Sequence, residues 1–306
     1  MASVVRVYRS TDSGAPAHPS ATFGSMAALL RACLVTGYGT KDPAGWEEPF
    51  TETDNCAVFR ALEGARQFYQ VMDNVPSYPN VTIMSGYESM SSATAGQGKW
   101  GERYFGKRPA SANGATWMVV ADQRTAYVFL DNSQGYTPHV FGEYQSLISD
   151  DPYNSYIAGH TYAAGLYITT AAGNSMGYTF MSGAVYGLGS VFTITGLNYA
   201  GAYPGHGKAL ASVCIGGTVA NYPLNSTKYC LADRGYAVHK LWMFSGVDGF
   251  LTGHHRGIYL PWSFRPKTHD VPFTFNGRTI LPVNSGYSTS TQGQGQLWFD
   301  ITDGWD

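Results

Sequence analysis

Charge is scarce in this chain of 306 residues: Asp, Glu, Lys and Arg together make up 13% of it, about half the share usual in a soluble domain. Its 19 basic and 21 acidic residues leave a formal net charge of −2, and like charges form no long run. Binding to phosphate backbones needs a concentrated positive field, so nucleic acid is not expected as a partner. Long apolar runs are missing too. No stretch approaches the roughly 18 consecutive apolar residues of a membrane-spanning helix. The start, Met1 to Arg6, shows no apolar leader followed by a cleavage site, so neither a membrane span nor signal-directed export is expected. The four cysteines, Cys33, Cys56, Cys214 and Cys230, are widely spaced with no Cys-x-x-Cys pair. That spacing argues against a structural zinc site and for buried free thiols.

Aromatics, glycine and small polar residues are plentiful. With 14% aromatic residues, 37 Gly and 22 Tyr, the chain has ample apolar material to collapse. Short strands joined by Gly-bearing turns are the expected outcome. The expected fold is mainly β (α+β): antiparallel sheets in sandwich or barrel-like units, one N-terminal amphipathic helix and few other short helices. A boundary near 165–173 would divide a β-rich domain, 1–165, from an all-β domain, 166–306.

Local patterns place the elements. Val4 to Tyr8 alternates as a strand, and Ser10 to Phe23 reads as a loop. Met26, Leu29, Leu30, Cys33 and Leu34 share one helical face, with Ser25 as the predicted N-cap and Gly37 at the exit. From Ala57 the period becomes two: Ala57–Leu62 and Ala65–Met72 flank a tight Glu63-Gly64 turn, and Val81–Gly86 is a further strand. Gly96 to Pro109 reads as a loop. Thr116–Ala121 and Thr125–Leu130 are almost wholly apolar and joined by Asp122-Gln-Arg124, so they should be antiparallel neighbours at the centre of a sheet. Asp151-Pro152-Tyr153 starts a short helix. The runs Met176–Tyr186, Ser190–Thr195 and Leu297–Ile301 are expected strands.

Several constellations suggest chemistry, each with a plainer reading beside it. Gly173-Asn-Ser175-Met-Gly177 matches a hydrolase elbow, but that serine needs a following helix, and Tyr178 onward reads as strand; a turn explains it better. Gly96-Gln-Gly98-Lys-Trp-Gly101 fits a dinucleotide fingerprint without the strand–helix context that makes it work. His254 and His255 are adjacent, so on a strand they point to opposite faces and chelate one ion poorly. His206 and His269 have no partner at ligand spacing. Acid–base hydrolysis of a glycoside needs two carboxyls about 5 to 9.5 Å apart. Glu143, Asp122, Asp131, Asp248, Asp150 and Asp151 are scattered, and spacing alone pairs none of them. No catalytic, metal-binding or cofactor-binding residue is therefore nominated, and no cofactor is expected.

A resemblance rests on whole segments: Val4–Pro16, Ser25–Gly39, Ala57-Val-Phe-Arg60, Gly86-Tyr-Glu-Ser-Met90, Trp117–Asp122, Phe141–Ser146 and the closing Phe299–Trp305. Together they resemble a group of structural proteins of tailed-bacteriophage particles, well over the first half and mainly in short-strand texture over the second. The resemblance implies a virion component made in a bacterial cytoplasm and leaves its place in the particle open; two β-rich units with long loops suit a peripheral connector of the tail or baseplate. Its partners would be copies of itself in a symmetric assembly and other virion proteins, met through interfaces and not through an active site. Tyr199, Tyr203, Trp242, Tyr259, Trp262 and Phe264 are the aromatic candidates for such contacts, on the loops Tyr199–Tyr203 and Leu260–Phe264 and nearby. The alternatives are a head-decorating protein and a tail module whose aromatics stack on host-surface glycan; a carbohydrate hydrolase comes after these.

Overall fold

A computed structural model describes residues 4–53, 55–73, 81–107, 116–131, 136–147, 154–158, 194–196, 209–213, 237–245, 251–262, 267–285 and 295–305. The chain runs through β1 (Arg6–Arg9), α1 (Ser25–Arg31), β2 (Trp46–Thr53), β3 (Cys56–Ala61), β4 (Phe68–Met72), β5 (Val81–Met90), β6 (Gly96–Gly106), β7 (Trp117–Ala121) and β8 (Thr125–Asp131). It continues through β9 (Tyr136–Glu143), β10 (Gln145–Ser146), β11 (Ser155–Ala158), β12 (Ile194–Gly196), β13 (Ala209–Val213), β14 (Ala237–Ser245), β15 (Leu251–Trp262), β16 (Phe273–Phe275), β17 (Arg278–Ser285) and β18 (Gly295–Asp300). The fold is mainly β and antiparallel.

The β7–β8 hairpin shows how the layers arise. Its register sets Trp117 opposite Leu130, Val119 opposite Val128 and Ala121 opposite Ala126. These six, with Phe141 and Ile157, face a first core shared with α1 and with β2 to β6. The alternate residues Met118, Val120, Tyr127, Phe129, Val140 and Tyr156 face a second core, against Ile258, Leu281, Val283, Leu297, Phe299 and Trp305. A strand shows opposite faces at successive residues, so an unbroken apolar run can serve two cores at once. That is why these strands contain so few polar positions. The Asp122 carboxylate closes the turn, accepting the backbone N–H of Arg124 at 2.9 Å and of Thr125 at 2.8 Å, as Asp does in such turns.

Among the described residues, β2 to β6 form a five-stranded meander in chain order. The other strands form one sheet in the order β1-β7-β8-β9-β11-β12-β13-β14-β15-β18-β17-β16, with β10 added beside β15. Because β10 directly continues β9, its pairing through Gln145–His254 and Ser146–Gly253 closes the strands from β9 to β15 into a ring. The two free ends of the sheet also meet. Arg9 on β1 grips Asp270, just before β16, with contacts of 2.6 to 2.9 Å. The expected domain boundary falls outside the described residues, and the nearest described strands on either side of it, β11 and β12, pair within this one sheet.

Three local expectations need correction. First, Ser25 is already helical and does not cap α1: its hydroxyl donates backwards to the carbonyls of Ser20 and Thr22. A cap must stand outside the helix for its side chain to reach the first N–H groups, and Gly24, with φ +80°, holds that place. The Met26 N–H is met instead by Asp73, at 2.7 Å. The same carboxylate takes the Thr82 hydroxyl at 2.8 Å and the Lys107 ammonium, and Asp73 and Lys107 are both sealed from solvent. Gly37 does lie at the exit, with φ +73°, after a π-helical turn over Ala32–Thr36.

Second, Gly96 to Gly106 is strand and not loop, paired with β5 along its length. The glycines there seat aromatic rings. A methyl group on Gly86 would lie 2.2 Å from the Trp100 ring, and one on Gly96 would lie 2.4 Å from the ring of Tyr87. Third, Leu260 to Trp262 is the end of β15, paired with Ala237 to His239, because an apolar, aromatic run suits a strand better than a loop. β4 also starts later than expected, at Phe68, after Arg66 takes a positive φ of 53°. Cys33 and Cys56 are buried and unbridged; Cys214 and Cys230 lie outside the described residues.

Candidate functional site

The clearest break in regular structure is in β15. Lys240 pairs with Tyr259 and Trp242 with His254, so between these pairs β14 advances two residues while β15 advances five. The extra residues bulge out of the ladder around His255, Arg256 and Gly257. Bulges re-aim side chains and interrupt pairing, and this one does both. It turns Arg256 and His255 inward, and it leaves a cleft of about 310 Å³ bordered by β10, β14, β17, β18 and the C-terminal turn.

Beneath the cleft lies a sealed polar network. Arg256, 1% exposed, donates to Asp122 at 2.7 Å. Burial opposes its charge, but Asp122 and Glu143 outweigh that and hold its pKa above the ordinary arginine value. Glu143 accepts the Ala65 N–H from the β3–β4 turn, so the network also anchors that turn. Burial raises the Glu143 pKa, while the Ala65 N–H and Arg256 pull it down less strongly. Gly64 lies so close that a methyl group there would sit 1.9 Å from the carboxylate. The Tyr127 hydroxyl donates to the Arg256 carbonyl at 2.9 Å, and Tyr156 donates to Tyr127 at 3.3 Å. With that proton committed, Nδ1 of the fully buried His255 donates to the Tyr156 oxygen at 2.8 Å. Burial, then the neighbouring His254, pushes the His255 pKa down to about 3.

The cleft itself is more open. Nδ1 of His254 lies 3.0 Å from the His255 carbonyl oxygen, which can only accept, so Nδ1 carries the proton. Nε2 must then accept from the Lys240 ammonium, 2.8 Å away. His254 is therefore neutral, its pKa lowered by burial and by Lys240 and Arg256. Opposite, Arg278 pairs with Asp300 through Nε. Trp305 donates its indole N–H to the Asp300 carbonyl at 2.7 Å and lies flat against Gly257, where a methyl group would come within 2.1 Å of the ring.

Asp122 and Glu143, apparently scattered along the sequence, thus converge on Arg256. They are 0% and 3% exposed. Asp122 is occupied by the Arg256 guanidinium and the N–H groups of Arg124 and Thr125, and Glu143 by the Ala65 N–H and the Asn154 amide, an arrangement that locks segments together and leaves neither carboxylate open to a sugar. His254 and His255 diverge, the first half-buried at the cleft and the second sealed in the core. His269 is lowered in pKa by burial, and its neighbour Asp270 holds Arg9. Among the described residues no three His, Cys, Asp or Glu side chains gather in a metal-binding arrangement, and no helix is long and apolar enough to cross a membrane.

Of the aromatic candidates, Tyr259 lines the cleft. Trp242 pairs with His254 on β14, and Trp262 pairs with Ala237 at the end of β15. Tyr199, Tyr203 and Phe264 lie outside the described residues, as do Gly173–Gly177, His206, Asp150, Asp151, Asp248 and the helix expected at 151–153. Sequence reasoning missed Lys240, Arg256, Arg278, Asp300 and Trp305; the adjacent histidines gave the one local hint of this place. No known protein family matches the chain, and no curated protein is significantly similar to it.

Proposed function

We propose that the chain is a structural subunit of a tailed-phage particle, associated with its tail or baseplate, acting through protein–protein interfaces. The observation that carries this reading is how the long-range ion pairs are used. Asp122–Arg256 joins residues 134 apart in sequence, Asp73–Lys107 joins residues 34 apart, and Arg9–Asp270 joins residues 261 apart. Each is consumed in holding layers or sheet ends together, as suits a body that passes load between neighbours in a symmetric assembly. The segments that resemble virion structural proteins supply about half of the first core and, in Phe299 and Trp305, part of the second, and they carry Asp122 and Glu143, so the resemblance rests largely on the frame.

The test is protein identification by mass spectrometry on gradient-purified, high-salt-washed particles, followed by immunogold labelling. The chain is expected at constant stoichiometry, with gold at the tail or baseplate. Its absence from washed particles overturns the reading. Gold spread over the head replaces the tail assignment with head decoration.

A further inference from the structure

We propose that the cleft at the β15 bulge binds a carboxylate-bearing sugar, with Lys240 and Arg278 meeting the carboxylate and Tyr259 lying along the ring. This goes beyond the virion role and does not depend on it. Charge selects the class first. Around the opening stand Lys240 and Arg278, against Asp300, with His254 neutral. Below them Arg256 is paired with Asp122, and Glu143 adds a second carboxylate near it. At the opening, Lys240 is exposed and donates to an imidazole nitrogen, not to a carboxylate of the described residues. A single carboxylate balances it, whereas a phosphate monoester would bring about −1.5 to −2.

Shape and chemistry select the rest. The volume of about 310 Å³ is near the lower end for small-molecule sites. Tyr259 is half-buried, which presents an aromatic face to the apolar side of a sugar ring. Gln145 can both donate to and accept from hydroxyl groups, and the Asp300 carboxylate can accept from them. The polar groups are carried on paired strands, and Trp305 packed on Gly257 fixes the far wall, so little ordering is needed on binding.

The experiment is calorimetric titration of the full chain at low salt with glucuronate, with glucose, with acetate and with inorganic phosphate, each at millimolar concentration. Glucuronate is expected to bind about tenfold more tightly than glucose or acetate, the scale of one charge-assisted contact. Lys240→Gln is expected to abolish that preference and Lys240→Arg to keep it. Because Lys240 is exposed, both variants should unfold at the wild-type temperature, which calorimetry checks directly. Tyr259→Ala is expected to weaken glucuronate while leaving acetate unchanged. Equal binding of glucuronate and glucose, no binding of glucuronate, or an unchanged affinity in Lys240→Gln overturns the proposal. Phosphate binding as tightly as glucuronate also overturns it, because the site would then read an oxyanion and not a sugar acid.

Discussion

Asp73–Lys107 and Asp122–Arg256 are both sealed from water, one beside helix α1 and the other beneath the β15 bulge, yet burial treats them differently. At the helix, burial dominates: the Asp73 pKa is raised and the Lys107 pKa is lowered, despite their mutual attraction. At the bulge, Arg256 stays more firmly charged than a free arginine because Asp122 and Glu143 together outweigh its desolvation. A lysine ammonium is a compact, strongly hydrated charge that loses its proton when buried, while guanidinium is delocalised and keeps its proton. The helix pair is therefore a tie that can neutralise itself, and the bulge pair is one that cannot.

The largest expected effect follows directly. Arg256→Met should cost about 3–5 kcal/mol, because two buried carboxylates lose their cation. Lys107→Met should cost less, about 1–3 kcal/mol, since Asp73 already leans toward protonation and keeps its Met26 and Thr82 donors. Urea unfolding of both variants at neutral pH measures the gap; equal losses would erase the distinction drawn here.

The next effect is on pH. His255 has a folded pKa of about 3, well below its unfolded value near 6.5, so between these limits the unfolded chain binds more protons. Its contribution is complete above pH 6.5 and is lost as pH falls toward 3, by about 2 kcal/mol at pH 5. Asp73 and Glu143, with raised values, push the other way. The test is therefore the difference in pH dependence between the wild type and His255→Gln. If the two unfold in parallel between pH 7 and pH 5, His255 is not the group responsible.

Gly257→Ala should cost about 1–3 kcal/mol, since it places a side chain at φ +66° and against the Trp305 ring. A red shift in tryptophan emission should accompany the loss, from an indole pushed toward water. The smallest effect belongs to the seam. Arg9→Gln should cost about 1 kcal/mol, because Arg9 and Asp270 remain about a quarter exposed. Salt should shrink that difference, and should leave the Arg256→Met loss nearly unchanged.

Periodicity made some of this molecule readable in advance, and the reason is distance. The β7–β8 hairpin, the apolar face of α1 and the glycine at its exit depend on residues a few positions apart, where pleat and helical turn are set by the backbone itself. The divergence of His254 and His255 was legible for the same reason. Gly96–Gly106 was not, because its glycines look like turn residues until β5 lies alongside and Tyr87 and Trp100 settle over the gaps.

The amino-acid sequence alone determined the class of fold: a chain short of charge, rich in Tyr, Thr and Gly and patterned in twos makes antiparallel sheets with apolar faces. Tertiary structure alone decided that Asp73 and not Ser25 serves the helix, that Asp122 holds Arg256, that Glu143 holds the Ala65 turn, and that β15 bulges open beside Lys240. Those outcomes join residues tens to hundreds of positions apart. Only closure of the sheet brings them within hydrogen-bonding reach, and burial then makes leaving any of them unmatched too costly.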